Sequence, residues 1–237
     1  EAIKILEKAL TYATSKFEKA KIKLQLGDVL IFTGKFNKAL VYFSQIQSVL
    51  KNHSLGQQAR FKVAQTSYFK GDFEWAKAQL KVLKSASTQL IANDALRLYL
   101  LISDNEPVDS IPSGLIEYAR AEAFSFQHKN KEATVLLHKI ITEFKGMPIE
   151  DDALYSLALL ATKEKRFSEA IKNFEKIIAL NLEGVLVDDC FYELAKLHEE
   201  HLEEPKKAAA YYQKILFEYP SSIYMVEARK KFRKLRG

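Results

Sequence analysis

Residues 34–46 read GKFNKALVYFSQI, and two further strings lie on them without gaps: GDFEWAKAQLKVL at 71–83 and KRFSEAIKNFEKI at 165–177. Each carries an aromatic residue, an Ala three positions later, a large apolar residue four beyond that, and another three further on. HKNKEATVLLHKI (128–140) keeps the frame with Asn130 in the aromatic position, EEPKKAAAYYQKI (203–215) keeps it with Pro205, and EAIKILEKA at the N-terminus enters it from Ala2. The aligned alanines are Ala2, Ala39, Ala76, Ala133, Ala170 and Ala208, spaced by 37, 37, 57, 37 and 38 residues. The next columns are Leu6, Phe43, Leu80, Leu137, Phe174 and Tyr212, then Ala9, Ile46, Leu83, Ile140, Ile177 and Ile215. Steps of four and three stay on one helical face. Ala at a helix crossing lets two axes approach closely.

Upstream of each of these returning helices lies a second amphipathic segment, a leading helix. The five read KIKLQLGDVLIF (21–32), QARFKVAQTSYF (58–69), LIEYARAEAFSF (115–126), DALYSLALLATK (152–163) and DCFYELAKLHEE (189–200). A small residue recurs in register: Gly27, Ala64, Ala121, Ala158 and Ala195. Gly34 and Gly71 fall in the turns, where positive φ ends a helix at low cost. The spacing predicts an all-α, right-handed solenoid of about thirteen helices, built from helix–turn–helix units with a period of about 37. The spacing of 57 holds one extra helix, 88–103, and a loop whose Pro107, Pro112 and Gly114 make it the expected hinge. The expected organisation is therefore repeats over 1–104, a loop at 105–113, repeats over 114–220, and a capping helix at 221–237. Residues 1–14 read as a returning helix without its partner, so the chain is expected to be the C-terminal part of a longer array.

This pattern resembles the tetratricopeptide repeat over nearly the whole chain. The small residue of the first helix, the Gly or basic residue at the turn, and the aromatic, Ala and large apolar positions of the second all match, as does Pro220 near the end of the last unit. The period of 37 to 38 exceeds the 34 usual for that family, and Asn130 and Pro205 break the aromatic column. The longer period and the closing stretch FEYPSSIYMVEARKKFRKL (217–235) are similar to tetratricopeptide proteins of the bacterial cell envelope, of the β-barrel assembly lipoprotein and Tol–Pal coordinator type. That resemblance implies a periplasmic or outer-membrane-associated protein, with the cytoplasm as the alternative.

The composition narrows the function classes. The 237 residues carry a net charge of +6, and its placement is uneven. Residues 1–90 hold 15 basic and 6 acidic side chains, 91–228 hold 15 and 24, and 229–237 hold Arg229, Lys230, Lys231, Arg233, Lys234 and Arg236 with no acid. The acidic stretch disfavours nucleic acid. The basic tail suits either the dipole of its own helix or an anionic membrane surface. One cysteine, Cys190, excludes a disulfide framework and a multi-cysteine zinc site. No apolar run reaches the roughly 18 residues a membrane span needs.

No enzyme motif or cofactor site emerges, and the chain reads as non-catalytic and metal-free. GDVLIFTGKF (27–36) has the wrong spacing for a phosphate loop, and its glycines fall on repeat positions. His198-Glu-Glu-His201 is one residue short of the zinc-protease pattern and reads as an exposed acidic helix end. Cys190 reads as a small buried residue, Trp75 as packing beside Ala76, and Asn52-His53-Ser54 as a chance glycosylation triplet.

The remaining signal is aromatic. Phe61, Tyr118, Tyr155 and Tyr192 stand three residues before the small column, with Tyr68, Phe69 and Phe126 further along the same face. In the resembled family that position faces a concave groove, which implies a scaffold holding a protein or peptide there. Tyr suits such a surface because it combines apolar area with a hydroxyl at low ordering cost. The rival reading has these rings padding the contacts between repeats. Two charged subsites are expected: Lys21, Lys23, Arg60 and Lys62 for acidic groups, and Asp152, Asp189, Glu199 and Glu200 for basic ones.

Overall fold

The structure is a computed structural model that describes residues 1–83, 88–107 and 111–236. Its regular elements are thirteen α-helices among the described residues. They are α1 (Ala2–Tyr12), α2 (Lys16–Phe32), α3 (Phe36–Val49), α4 (Ser54–Phe69), α5 (Phe73–Val82), α6 (Gln89–Asp104), α7 (Leu115–Phe126), α8 (Asn130–Glu143), α9 (Ile149–Lys163), α10 (Phe167–Leu180), α11 (Val187–Glu200), α12 (Pro205–Glu218) and α13 (Met225–Arg236).

The turns explain why the period holds. Gly34, Gly71, His128, Lys165 and Glu203 all take positive φ, at 75, 82, 59, 62 and 54°. Each lies five residues before its aligned Ala. The N–H of the residue after the turn then reaches back to the sixth-last carbonyl: Lys35 to Leu30 (2.7 Å), Asp72 to Ser67 (2.9 Å), Lys129 to Phe124 (2.9 Å) and Arg166 to Ala161 (2.8 Å). This is the Schellman closure, which satisfies carbonyls the helix end would otherwise leave open. In the last unit Glu204 N–H reaches His198, one residue further, at 2.8 Å. The added residue sits in that turn and lengthens the last spacing to 38. Pro205, which breaks the aromatic column, opens α12, where a missing N–H costs nothing.

Past the turn, the alanines do what their column requires. Ala39, Ala76, Ala133, Ala170 and Ala208 are each fully buried. The small residue opposite them is equally constrained: a Cβ on Gly27 would stand 2.2 Å from the Phe43 ring. Trp75 corrects the expectation of packing, for it is 51% exposed. One residue before Ala76 is about 100° around the helix, which turns the indole outward.

Tertiary contacts divide the chain into two units, Glu1–Leu136 and Leu137–Gly237. The division falls within α8 and not at 105–113, of which 108–110 lie outside the described residues. The described part of that segment is pinned: Ser113 Oγ donates to the Asn105 carbonyl at 2.5 Å, and Lys77 Nζ meets Glu106 at 2.6 Å. In the first unit α6, the extra helix, packs on α4 and α5, and α7 packs back on α4. In the second, α9 to α13 pack successively, around one core of Leu154, Tyr155, Phe174 and Leu194 and another of Phe191, Tyr212, Ile215 and Ala228.

The turn register is testable alone. A Cβ on Gly71 meets nothing within 4 Å, so Gly71→Ala isolates the cost of positive φ. It is expected to destabilise by about 1 kcal/mol, and Lys165→Gly to stabilise by a similar ~1 kcal/mol. Urea unfolding midpoints check both.

Candidate functional site

The leading helices present the face expected to hold a partner. In the first unit the C-terminal end of that face is covered by the chain itself. Gln127, at the end of α7, donates its side-chain N–H to the Ile31 carbonyl of α2 at 3.2 Å. Next to it, His128 stands edge-on to Phe32, with ring centroids 5.5 Å apart. Phe126 lies 6.0 Å from Phe69, and Lys62 Nζ sits 5.6 Å from the Phe126 ring while pairing with Asp28 at 2.9 Å. Burial raises the Glu122 carboxyl of α7 above the usual range, opposed by the nearby Tyr68 and by the charge of Arg97. The extra helix α6 stacks on α4 and α5, and α7 is left to cover the ends of α2 and α4.

Of the expected groove aromatics, Tyr68, Phe69 and Phe126 are brought together against one another. Tyr68 is 1% exposed, Phe69 7% and Tyr118 5%, while Phe61 and Phe126 are half-buried. In the second unit Tyr155 and Tyr192 are 6% and 8% exposed. Tyr155 meets Phe174 edge-on at 5.6 Å, and Tyr192 stacks on Tyr224 at 4.1 Å. Five of the seven rings, Tyr68, Phe69, Tyr118, Tyr155 and Tyr192, are thus buried within the fold rather than open to a groove. The physical reason is area, since a ring on the face between consecutive leading helices gains more from burial there than from water.

Several of the expected charged residues are likewise engaged within the fold. Tyr224 Oη donates to Asp189 at 2.7 Å. Tyr212 Oη donates to Glu199 at 2.9 Å, and Lys231 Nζ meets the same carboxylate at 3.1 Å and Glu200 at 3.7 Å. Burial, together with Glu199, raises the Tyr212 phenol well above its ordinary value. Lys231 therefore departs from the rest of the basic tail: it faces inward, whereas Arg229, Lys230, Arg233, Lys234 and Arg236 are exposed. Lys21 and Glu200 are exposed; Lys23, Arg60 and Asp152 are half-buried.

The other reactive side chains have structural roles. Cys190 is fully buried, and burial with the nearby Asp189 pushes its thiol up, away from a nucleophilic thiolate. His198 corrects the reading of an exposed helix end: it is 4% exposed, with Nδ1 2.7 Å from Glu204 and its ring stacked on Tyr211. His201 stacks instead on Phe167 at 4.8 Å. Among the described residues no group of three His, Cys, Asp or Glu is placed to hold a metal.

One residue of the second unit was missed. Leu159 of α9 is 38% exposed on the leading-helix face. It follows the small column by one position, where the other units carry Asp28, Gln65, Glu122 and Lys196. An apolar residue in an otherwise polar column is a signal that the alignment contains.

Two measurements separate packing from recognition. Tyr155→Ala is expected to cost about 3 kcal/mol in urea unfolding, whereas a ring on an open face would cost under about 0.5 kcal/mol. Glu150, 2% exposed, accepts from Gly146 N–H at 2.7 Å and from Lys176 at 3.0 Å. Burial alone would raise its carboxyl, but these two partners outweigh it and hold the group below the usual range. Its stabilisation is therefore complete above the ordinary carboxylate range and is lost as pH falls through the lowered value. Lys176→Met should remove about 2 kcal/mol at pH 7 and flatten that acid limb in unfolding curves.

With this geometry in view, residues 151–183 match the tetratricopeptide repeat family model. No curated protein matches the chain. Among solved structures the chain is similar to the crystal structure of MamA, at 16% identity over 88% of this chain and 97% of that one, with a TM-score of 0.41. It is also similar to the TPR domain of P58(IPK), at 13% identity over 99% of this chain, with a TM-score of 0.41; it spans 65% of that domain's length. The chain thus carries a tetratricopeptide repeat at 151–183, made by α9, α10 and the turn that joins them.

Proposed function

We propose that the protein is a non-catalytic scaffold that binds a protein or peptide on the leading-helix face of its second unit, across α9 and α11. The observation that carries this reading is Leu159, an apolar side chain 38% exposed on a face whose aromatic neighbours are already buried. Lys163, one turn further along α9, is exposed; α11 carries Lys196, half-buried and paired with Glu193 at 3.2 Å, and Glu200, exposed and 3.7 Å from Lys231. An apolar centre with charges of both signs at its rim suits a peptide segment, which brings side chains of both kinds. The first unit is a poorer candidate, because α7 lies over the ends of its leading helices. The resemblance of the 37-residue period and of 217–235 to envelope proteins supports a place in a bacterial cell-envelope assembly, which fractionation of cells would test.

Site-specific photo-crosslinking tests the surface. A crosslinker at Leu159 is expected to trap a partner, and one at Lys172, exposed on α10, to trap none. Equal trapping at both positions, or trapping at Lys172 alone, would remove the assignment.

A further inference from the structure

We infer that the outer face of α13 and the loops beside it form a docking surface for an anionic lipid bilayer. The surface differs from the leading-helix face assigned above and does not depend on that assignment.

At about 100° per residue, Val226, Arg229, Lys230, Arg233, Lys234 and Arg236 fall within one arc of α13. Every one is exposed, Val226 to 80%, and the arc holds no carboxylate. The opposite arc carries Ala228, fully buried, with Phe232 and Leu235 packed on the α11–α12 core, and Lys231 in its ion pairs with Glu199 and Glu200. The cations of the outer arc are therefore not needed to hold α13 in place.

Beside the N-terminus of α13, two loops come together. Tyr219 Oη donates to the Leu182 carbonyl at 2.9 Å, which ties the loop after α12 to the loop after α10. From these loops Ile223 stands 85% exposed, Val185 89% and Leu182 61%. Side chains so exposed gain free energy when something covers them. They also protrude singly rather than line a groove. A rigid protein partner would need a matching hole for each, whereas the headgroup and acyl boundary of a bilayer takes protruding apolar side chains at any spacing. The five cations of the arc then meet lipid phosphates, each contributing near the surface. Three exposed acids lie in this region: Glu183 and Glu218 lie off α13, and Glu227 borders the arc about 20° beyond Lys234. Among the described residues no helix is long and apolar enough to cross a membrane.

Vesicle co-sedimentation tests this with the whole chain. Phosphatidylcholine vesicles containing phosphatidylglycerol are expected to bind, phosphatidylcholine alone to bind far less, and added salt to weaken binding. Arg229→Glu with Arg233→Glu should weaken binding about thirtyfold. Arg229→Lys with Arg233→Lys should retain it. Val185→Ser, Ile223→Ser and Val226→Ser together should weaken it about tenfold. Circular dichroism should be unchanged throughout, because all five positions are at the surface. Equal binding to neutral vesicles would overturn the proposal, as would an apolar triple variant that binds like the wild type. Capture of polyglutamate with no sedimentation on vesicles would instead make this a protein-docking face. None of these readouts involves Leu159, so failure here and failure of the scaffold surface are distinguishable.

Discussion

The close crossing of two helices over a pair of small residues is the constraint on which the rest of this protein rests. Within each unit the returning helix brings a fully buried Ala to the crossing, and the leading helix brings Gly or Ala. At Gly27 there is no room for even one more carbon against Phe43. Such an approach works only if the intervening turn delivers the second helix at a fixed angle and rotation. A left-handed residue five positions before the Ala does so, and the backbone closure that follows it leaves little freedom. Three of the five turns place His, Lys or Glu in that conformation, so the fold accepts local strain to keep the crossing.

Burial then decides the fate of the aromatic residues. Once the helix axes are close, the rings of the leading helices lie between neighbouring helices and lose their water. Tyr192 against Tyr224 and Tyr155 against Phe174 are joints of the stack. The hydroxyls that come with tyrosine find carboxylates, and those carboxylates find lysine: Tyr212, Glu199 and Lys231 form one such chain from α12 through α11 to α13. Charge that looks available for partners in the sequence is in part spent on holding consecutive helices in register.

The extra helix makes the first unit different in kind. With α6 packed on α4 and α5, α7 folds over the ends of α2 and α4, and Gln127 caps a carbonyl 96 residues earlier in the chain. The C-terminal end of that face is there covered by the array itself. The surface left for recognition shifts to the second unit, with Leu159 on its leading-helix face.

Much of this was legible in the residues. Helix number, the 37-residue period, the Ala column and the glycine turns follow from local rules, because an α-helix repeats every 3.6 residues and positive φ favours glycine. His128, Lys165 and Glu203 were legible only by alignment with Gly34 and Gly71, since none of the three signals a left-handed turn alone. What covers each face was not legible. Periodicity states which side chains share a face; it does not state whether water, a partner or another helix of the same chain lies on it. The sequence by itself determined the repeating unit and its register. Only the tertiary structure decided that the end of α7 covers the ends of α2 and α4, that Tyr68 and Tyr155 are core, and that Lys231 turns inward while its neighbours face out. Those outcomes depend on contacts between residues as far apart as Ile31 and Gln127, and no local pattern encodes them.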